Sequence, residues 1–458
     1  MCAGTSSAVR RVRLNQVSAE GTSTPSPKPK SRWREYANAV GPGLITGAAD
    51  DDPSGIATYA QAGAQFGLSF LWIAPLTFPL MAAVQEICDR TALATGTGLG
   101  ELATQRFRRL GRATVAVLFA VLIVANALNI SADLVAIGSG MNLLKAGPTW
   151  LWAPLSGVLI SVALVVGSFE RISTIFKVLA GILVVYIVVA VLVTHDWLRI
   201  LSHTILPSFH PNKSYLALLV AILGTTFSPY IFFWQSADRL EEMRVDPEGG
   251  SEPTPLTKQD RTRAARKKRL SRIDVFSGMA FSNVIMFAII LTTAQTLHLH
   301  HVTNIASAAQ AAESLRPLAG PLASAIFALG FIGSGLLAVP VLAASGSAGL
   351  SGLLGKEWGF SRSVRKAPLF YGLVAVGTVG GTVLSLLNVN PIKLLVLVAV
   401  IDGIIAAPLL IIVMMIANNR KIMGEYANGH LANALGWLTV GIMATASIAF
   451  FVSGGISF

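Results

Sequence analysis

Six consecutive residues, Asp50-Asp51-Asp52-Pro53-Ser54-Gly55, lie between the apolar runs Leu44–Ala49 and Ile56–Leu76 and limit what this chain can fold into. A charged side chain near a bilayer centre costs several kcal/mol, so an acidic residue there points to function. Pro53 removes a backbone donor and clashes with the preceding turn, and Gly55 leaves helical geometry cheaply. A helix running through this stretch is therefore expected to break. Inside a membrane, such a break is tolerated only where the freed backbone lines a cavity or binds something. Read locally, the same residues also describe a surface cap on a helix starting at Pro53, and the rest of the chain has to decide.

The chain is 53% apolar and only 13% charged over 458 residues, which excludes an ordinary soluble protein. Its net charge of +12 resembles a nucleic-acid signal. The basic residues cluster in short loops between apolar runs, however, where the positive-inside rule accounts for them, so no nucleic-acid partner is expected. Cys2 and Cys88 are the only cysteines and give no disulfide framework. Neither Cys-x-x-Cys nor His-Glu-x-x-His occurs, so zinc chemistry has no support.

With about 20 apolar residues as the criterion for a span, eleven are expected, near 40–67, 69–95, 113–141, 152–169, 173–194, 215–237, 274–297, 318–346, 368–388, 392–416 and 432–455. An N-terminus on the cytoplasmic side places twenty-nine Lys and Arg residues inside and four outside, which sets the expected orientation with the C-terminus extracytoplasmic. Residues 1–34 read as a disordered basic cytoplasmic tail. The insert 241–272 ends in Arg261-Thr-Arg-Ala-Ala-Arg-Lys-Lys-Arg269, which reads as a solvated topology signal in preference to a lipid-binding run. His298, His300 and His301 lie in an outer loop with no acidic cluster nearby and read as a polar loop.

The sixth span carries Gly224-Thr225-Thr226-Phe227-Ser228-Pro229-Tyr230, again a proline mid-span behind a glycine. It opens the second group of five spans as the Asp52 break opens the first. Paired interruptions in corresponding halves point to a midplane transport site in an inverted-repeat transporter, which favours the buried break over the surface cap.

Gly41-Pro42-Gly43 leading into Asp52-Pro53-Ser54-Gly55, then Gln65-Phe-Gly67, Thr95-Gly96, Asn142-Leu-Leu144, Ser228-Pro229-Tyr230 and Met423-Gly424-Glu425, occur in an order that resembles the Nramp family of divalent-metal transporters from about residue 38 onward. The resemblance implies an all-α polytopic membrane protein with about 11 transmembrane helices. It also implies an inverted 5+5 repeat of the leucine-transporter-like fold, with helices 1 and 6 broken. The transporter domain would cover 35–458, with repeats at 35–195 and 214–417 and an eleventh helix at 431–456. The chain would be no enzyme, would need no cofactor, and would sit in a plasma (inner) membrane.

The family's first break carries Asp-Pro-Gly-Asn, with Asp and Asn as metal ligands; here Asp52 matches, but the asparagine position is Gly55. Its second break reads Met-Pro-His, with a methionine ligand; here these positions are Ser228 and Tyr230. Losing the thioether leaves oxygen donors, expected from Asp52, Ser228 and carbonyls near Gly55 and Thr225, which suit hard cations. Mg²⁺ is typically held by one or two carboxylates with waters retained, so the expectation is the Nramp-related magnesium branch, with Mn²⁺ also passing.

The family's proton-relay histidine positions hold Tyr230 and Gln235, and the acidic residue beyond Asp133 is replaced by Ala136. Uncoupled transport is therefore expected, driven by concentration and by a potential that supplies about 4.6 kcal/mol per 100 mV for a divalent ion. Asp51, Asp133, Tyr230, Gln235, Asp402 and Asn283 are candidates for the cavity or the ion's hydration shell. Asp50 and Asp51 could attract cations or pair with a basic residue. Asp402 could be a buried hydrogen-bonded acid or a cavity-lining one. Glu86, Asp89 and Arg90 read as an inner gate or packing network, and Asn126, Asn129 and Asn283 as interhelical bonds or hydration-shell partners. The alternatives are a proton-coupled Mn²⁺/Fe²⁺ symporter, a sodium-coupled amino-acid transporter, a non-transporting metal receptor and an intramembrane aspartyl enzyme. Oligomeric state is not readable from the sequence.

Overall fold

The break after Asp50 decides the first span. The helix α1 (Pro42–Asp50) stops at the three carboxylates, and α2 (Pro53–Phe66) restarts with Pro53 at its first position, where a missing N–H costs nothing. The structure, a computed structural model, describes residues 42–166, 169–210, 212–245, 252–305, 307–312, 323–387 and 390–453. The tail expected over 1–34 lies outside them. All eleven expected spans are occupied by helix, and no strand occurs among the described residues.

After α2 the chain bends by 111° through Gly67–Phe70 into α3 (Ile73–Thr95). The short α4 (Leu99–Arg106) leads to α5 (Arg109–Leu143), α6 (Thr149–Val166), α7 (Phe169–Ile182), α8 (Val184–Val193) and α9 (Trp197–Ile205). The sixth span is also divided, into α10 (Lys213–Thr226) and α11 (Pro229–Val245), again with proline opening the second piece. There follow α12 (Arg261–Thr296), the short α13 (Ala308–Ala312), α14 (Ala323–Leu353), α15 (Pro368–Leu384), α16 (Pro391–Ala417), the single turn α17 (Arg420–Met423) and α18 (His430–Val452). Among the described residues eight helical segments are long and apolar enough to cross a membrane on length and composition alone, and the bent pair α2 and α3 passes the same test taken together.

The seventh span differs from its expected bounds. Helix α12 begins at Arg261, so the basic run is a helical extension of the span, capped by Asp260, whose carboxylate accepts from Thr262 N at 3.0 Å. Arginine and lysine are good helix formers, and the cap supplies the start that an apolarity criterion overlooks.

Close backbone approach holds the bundle around the two breaks. Helix α12 packs along α1, α2 and α3, while α10 packs along α16. Gly43 and Gly47 face Asp274 and Gly278 so closely that a Cβ on Gly43 would stand 2.5 Å from the Asp274 carbonyl, and one on Gly47 would strike the Gly278 carbonyl. Small residues four apart on facing helices are the usual means of such contact in membranes.

The end of the bundle that carries most of the basic residues is closed by ion pairs. Arg239 bonds Asp89 at 2.6 Å, Asp274 at 2.9 Å and also Glu242, joining α11 to α3 and α12. Asp274 also accepts the Gly43 amide at 2.9 Å, which ties in α1. Glu86 takes Arg90 at 3.1 Å and Arg272 at 2.9 Å, and Arg90 reaches Tyr426 O and Asn428 Oδ1 between α17 and α18. Glu86, Asp89 and Arg90 thus belong to a network in which charges on three spans, α3, α11 and α12, pair with one another.

Replacing Gly278 by Val would drive a side chain into the Gly43 carbonyl. Such overpacking typically costs about 1–3 kcal/mol, so the purified variant is expected to melt at a lower temperature than the wild type, read by differential scanning fluorimetry in detergent.

Candidate functional site

Asp52 is the N-cap of α2. Its backbone is extended (φ −67°, ψ 171°), and its Oδ1 accepts the Gly55 amide at 2.7 Å and the Ser54 hydroxyl at 2.6 Å. The local cap anticipated from sequence therefore forms, but it is 1% exposed within the bundle and not at a surface. A carboxylate at a helix N-terminus also meets the positive end of the helix dipole, which stabilises its charge.

The second break meets the first through one side chain. Tyr230, in the first turn of α11, points its hydroxyl at Ala49 O (3.0 Å), the last turn of α1, and at Asp52 Oδ2 (3.2 Å). Ser228 donates its hydroxyl back to Gly224 O (3.0 Å) and Thr225 O (2.7 Å), so its oxygen lone pairs remain as acceptors. The Thr225 hydroxyl is buried with no partner in hydrogen-bonding geometry, and a Cβ on Gly55 would lie 3.0 Å from it. Gly55 therefore acts here by its amide and its missing side chain. Its carbonyl lies within the first turn of α2 and is not freed by the break; the carbonyls at the helix ends beside the breaks are those of Ala49 on α1 and of Gly224 and Thr225 on α10.

Two further carboxylates face this junction. Asp133 on α5 and Asp402 on α16 are fully buried and lie within electrostatic range of Asp52. Neither Asp133 oxygen meets a donor, whereas Asp402 Oδ2 accepts Asn129 Nδ2 at 2.8 Å and its Oδ1 is unpartnered. Asp402 is thus a hydrogen-bonded acid with one oxygen left unpartnered. Asp51 is buried with both oxygens unpartnered, and Asp50 accepts the Ser282 hydroxyl at 2.8 Å. Among the described residues no basic side chain pairs with either. No three His, Cys, Asp or Glu side chains among the described residues converge closely enough to chelate a metal directly.

Two candidates are placed elsewhere. Gln235 donates to Asp89 Oδ1 at 2.9 Å and so belongs to the ion network at the basic end, seven residues beyond Ser228 on α11. Asn283 donates to Thr77 Oγ1 at 3.1 Å, bonding α12 to α3. A carboxylate and a hydroxyl at other levels of the bundle claim their amides. Sequence reasoning missed Ser282 and the Asn129–Asp402 bond. For Asn129 a signal existed, since Asn126, Asn129 and Asp133 share one face of α5 by their spacing; nothing in the sequence singled out Ser282.

Cap exchange separates the structural part of Asp52 from its charge. Asparagine caps as well as aspartate, whereas alanine loses about 1 kcal/mol. Asp52→Asn is therefore expected to melt near the wild-type temperature, and Asp52→Ala measurably below it.

Comparison with known proteins places this architecture. The profile described as "Natural resistance-associated macrophage protein-like" (Nramp) matches residues 43–453. Curated relatives include the divalent metal cation transporter MntH of Acidiphilium cryptum, 26% identical over 87% of this chain and 86% of its own length. MntH 1 of Pseudomonas aeruginosa is 27% identical over 94% of this chain and 95% of its own length. In fold, the chain is similar to the manganese transporter of Eremococcus coleocola crystallised with an aromatic bis-isothiourea compound (TM-score 0.71, 15% identity, 93% and 89% of the two chains). It is also similar to Mhp1, a nucleobase-cation-symport-1 family transporter, in a closed conformation (TM-score 0.57, 14% identity, 90% and 91% covered).

Proposed function

Because the chain belongs to the Nramp-like family, we propose that it carries hydrated Mg²⁺ across the membrane, with Mn²⁺ also passing and no proton coupled to the movement. At the coarser level it is an integral membrane transporter of divalent metal cations, not an enzyme, like the MntH proteins it matches. We read the spans as two five-helix repeats, 35–195 and 214–417, with the two breaks in corresponding positions.

The observation that carries the choice of ion is the donor set around Asp52. It consists of oxygens: the Asp52 carboxylate, the Ser228, Thr225 and Tyr230 hydroxyls, and the carboxylates of Asp133 and Asp402 within electrostatic range. Carboxylates that do not converge into a direct chelate suit an ion that keeps its water, and Mg²⁺ gives up water reluctantly. Asp133 and the free oxygen of Asp402 would then bind waters of the ion, and the negative C-terminal ends of α1 and α10 would favour its charge. None of the seven histidines falls within α1, α2, α5, α10, α11 or α16, which supports the uncoupled reading.

One observation favours a second reading, a Mn²⁺-preferring site. Met286 Sδ accepts the Thr226 hydroxyl at 3.7 Å and so puts a thioether beside the second break. A soft ligand there would favour Mn²⁺ over Mg²⁺.

The test is uptake of Mg²⁺ and Mn²⁺ into proteoliposomes with lumenal pH recorded. Mg²⁺ is expected to enter without acidification and to be excluded by Asp52→Asn. Exclusion of Mg²⁺ by the wild type, with Mn²⁺ entering together with protons, would overturn the proposal. Ser228→Met adds the missing thioether and is expected to shift the Mn²⁺:Mg²⁺ uptake ratio toward Mn²⁺ by about tenfold, equivalent to about 1.4 kcal/mol. Met286→Leu is expected to leave that ratio unchanged; a selective loss of Mn²⁺ uptake would instead support the second reading.

A further inference from the structure

Several buried or half-buried arginines at the closed end of the bundle are consumed by carboxylates. Arg90, Arg239, Arg244, Arg272 and Arg362 all sit in ion pairs. Arg106, Arg420 and Lys421 do not: among the described residues no ion pair involves them, yet they surround a single cavity of about 650 Å³. Met415, Asn418, Asn419 and Trp437 complete its walls, and no carboxylate lines it. The cavity lies where the end of α4, the end of α16, the turn α17 and the first turns of α18 meet. Arg106 is held in place by its Nε, which donates to Met415 O at 3.3 Å, and the rest of its guanidinium is left for a ligand. Three cations gathered around a cavity without an acidic partner repel one another and favour an anion.

The surroundings point to where the anion comes from. Trp437 is 43% exposed, and Leu431 and Leu438, two turns apart on α18, are 73% and 51% exposed. An exposed Trp beside a basic cluster at the end of apolar spans is the pattern of the membrane–water interface, and an outward leucine stripe on a spanning helix faces acyl chains. A soluble phosphate ester would use the cations but not the apolar wall; a lipid uses both. Basic pockets between transmembrane helices bind anionic headgroups by this combination.

We propose that this cavity is a binding site for an anionic phospholipid of the leaflet that bathes the basic end. The phosphate sits among Arg106, Arg420 and Lys421, its glycerol backbone lies at Trp437, and its acyl chains run from there toward the bilayer centre along Leu438 and the exposed Ile448. The lipid bridges α4, α16 and α18 without entering the metal path, so the site stands apart from the choice of ion.

The test is thermal unfolding of the full chain in detergent with added phosphatidylglycerol, phosphatidylcholine or water-soluble glycerol 1-phosphate. The variants are Arg420→Gln/Lys421→Gln and, as a control for general attraction, Arg365→Gln/Lys366→Gln, which removes two exposed cations at the same end. Phosphatidylglycerol is expected to raise the wild-type midpoint by several degrees, while phosphatidylcholine and glycerol 1-phosphate leave it unchanged. The Arg420/Lys421 variant should lose at least half of that rise and keep its midpoint in phosphatidylcholine; the control variant should keep the full rise. An equal rise in the Arg420/Lys421 variant, or an equal loss in the control, would overturn the proposal. The same rise with glycerol 1-phosphate would also overturn it, in favour of a soluble phosphate ester.

Discussion

The Asp52 carboxylate, buried at the start of α2, is the interaction on which the rest of this structure depends. A charge so placed must be met by donors, and it is: Ser54 and Gly55 satisfy one oxygen and Tyr230 the other. The first two bonds start a half-helix inside the bundle, and the third fixes the two breaks against each other. One residue thus caps a helix, ties α1 and α2 to α11, and leaves negative charge at the point where two helix C-termini end.

Around that point the protein divides its polar groups between two tasks. Near the breaks, carboxylates are left with oxygens to spare: both of Asp133, both of Asp51 and one each of Asp50 and Asp402. At the basic end most buried carboxylates are paired, with Arg239 alone serving three, although Asp238 beside it keeps both oxygens unpartnered. A paired network is costly to open, because removing one partner strands a buried charge, so it suits a closed door. An undersaturated set attracts a cation.

Gly55 and Gln235 show how far the sequence could be followed. At Gly55 the departure from the family pattern was visible, and it led to a donor set without an amide. What the glycine does instead, admitting the Thr225 hydroxyl close to α2, depends on a contact between residues 170 positions apart in the chain. At Gln235 the spacing on α11 suggested the cavity, but Asp89 on a different span claims the side chain. Side-chain direction along a helix is readable from spacing; the choice among partners on neighbouring helices is not.

By itself the sequence determined the spans, the positions of both breaks and the residue that caps the first. These follow from local rules: apolar length against bilayer thickness, a proline without an N–H, and an aspartate before a helix start. The extent of α12 was also local but hidden, since its first turns are basic and an apolarity criterion stops short of them. Only the tertiary structure decided which acids are neutralised and which are left open, because that rests on bonds such as Arg239–Asp274, Ser282–Asp50 and Asn129–Asp402, formed when separate helices pack. It also decided that the cap at Asp52 is buried and not at a surface, since burial is a property of the neighbours and not of the segment.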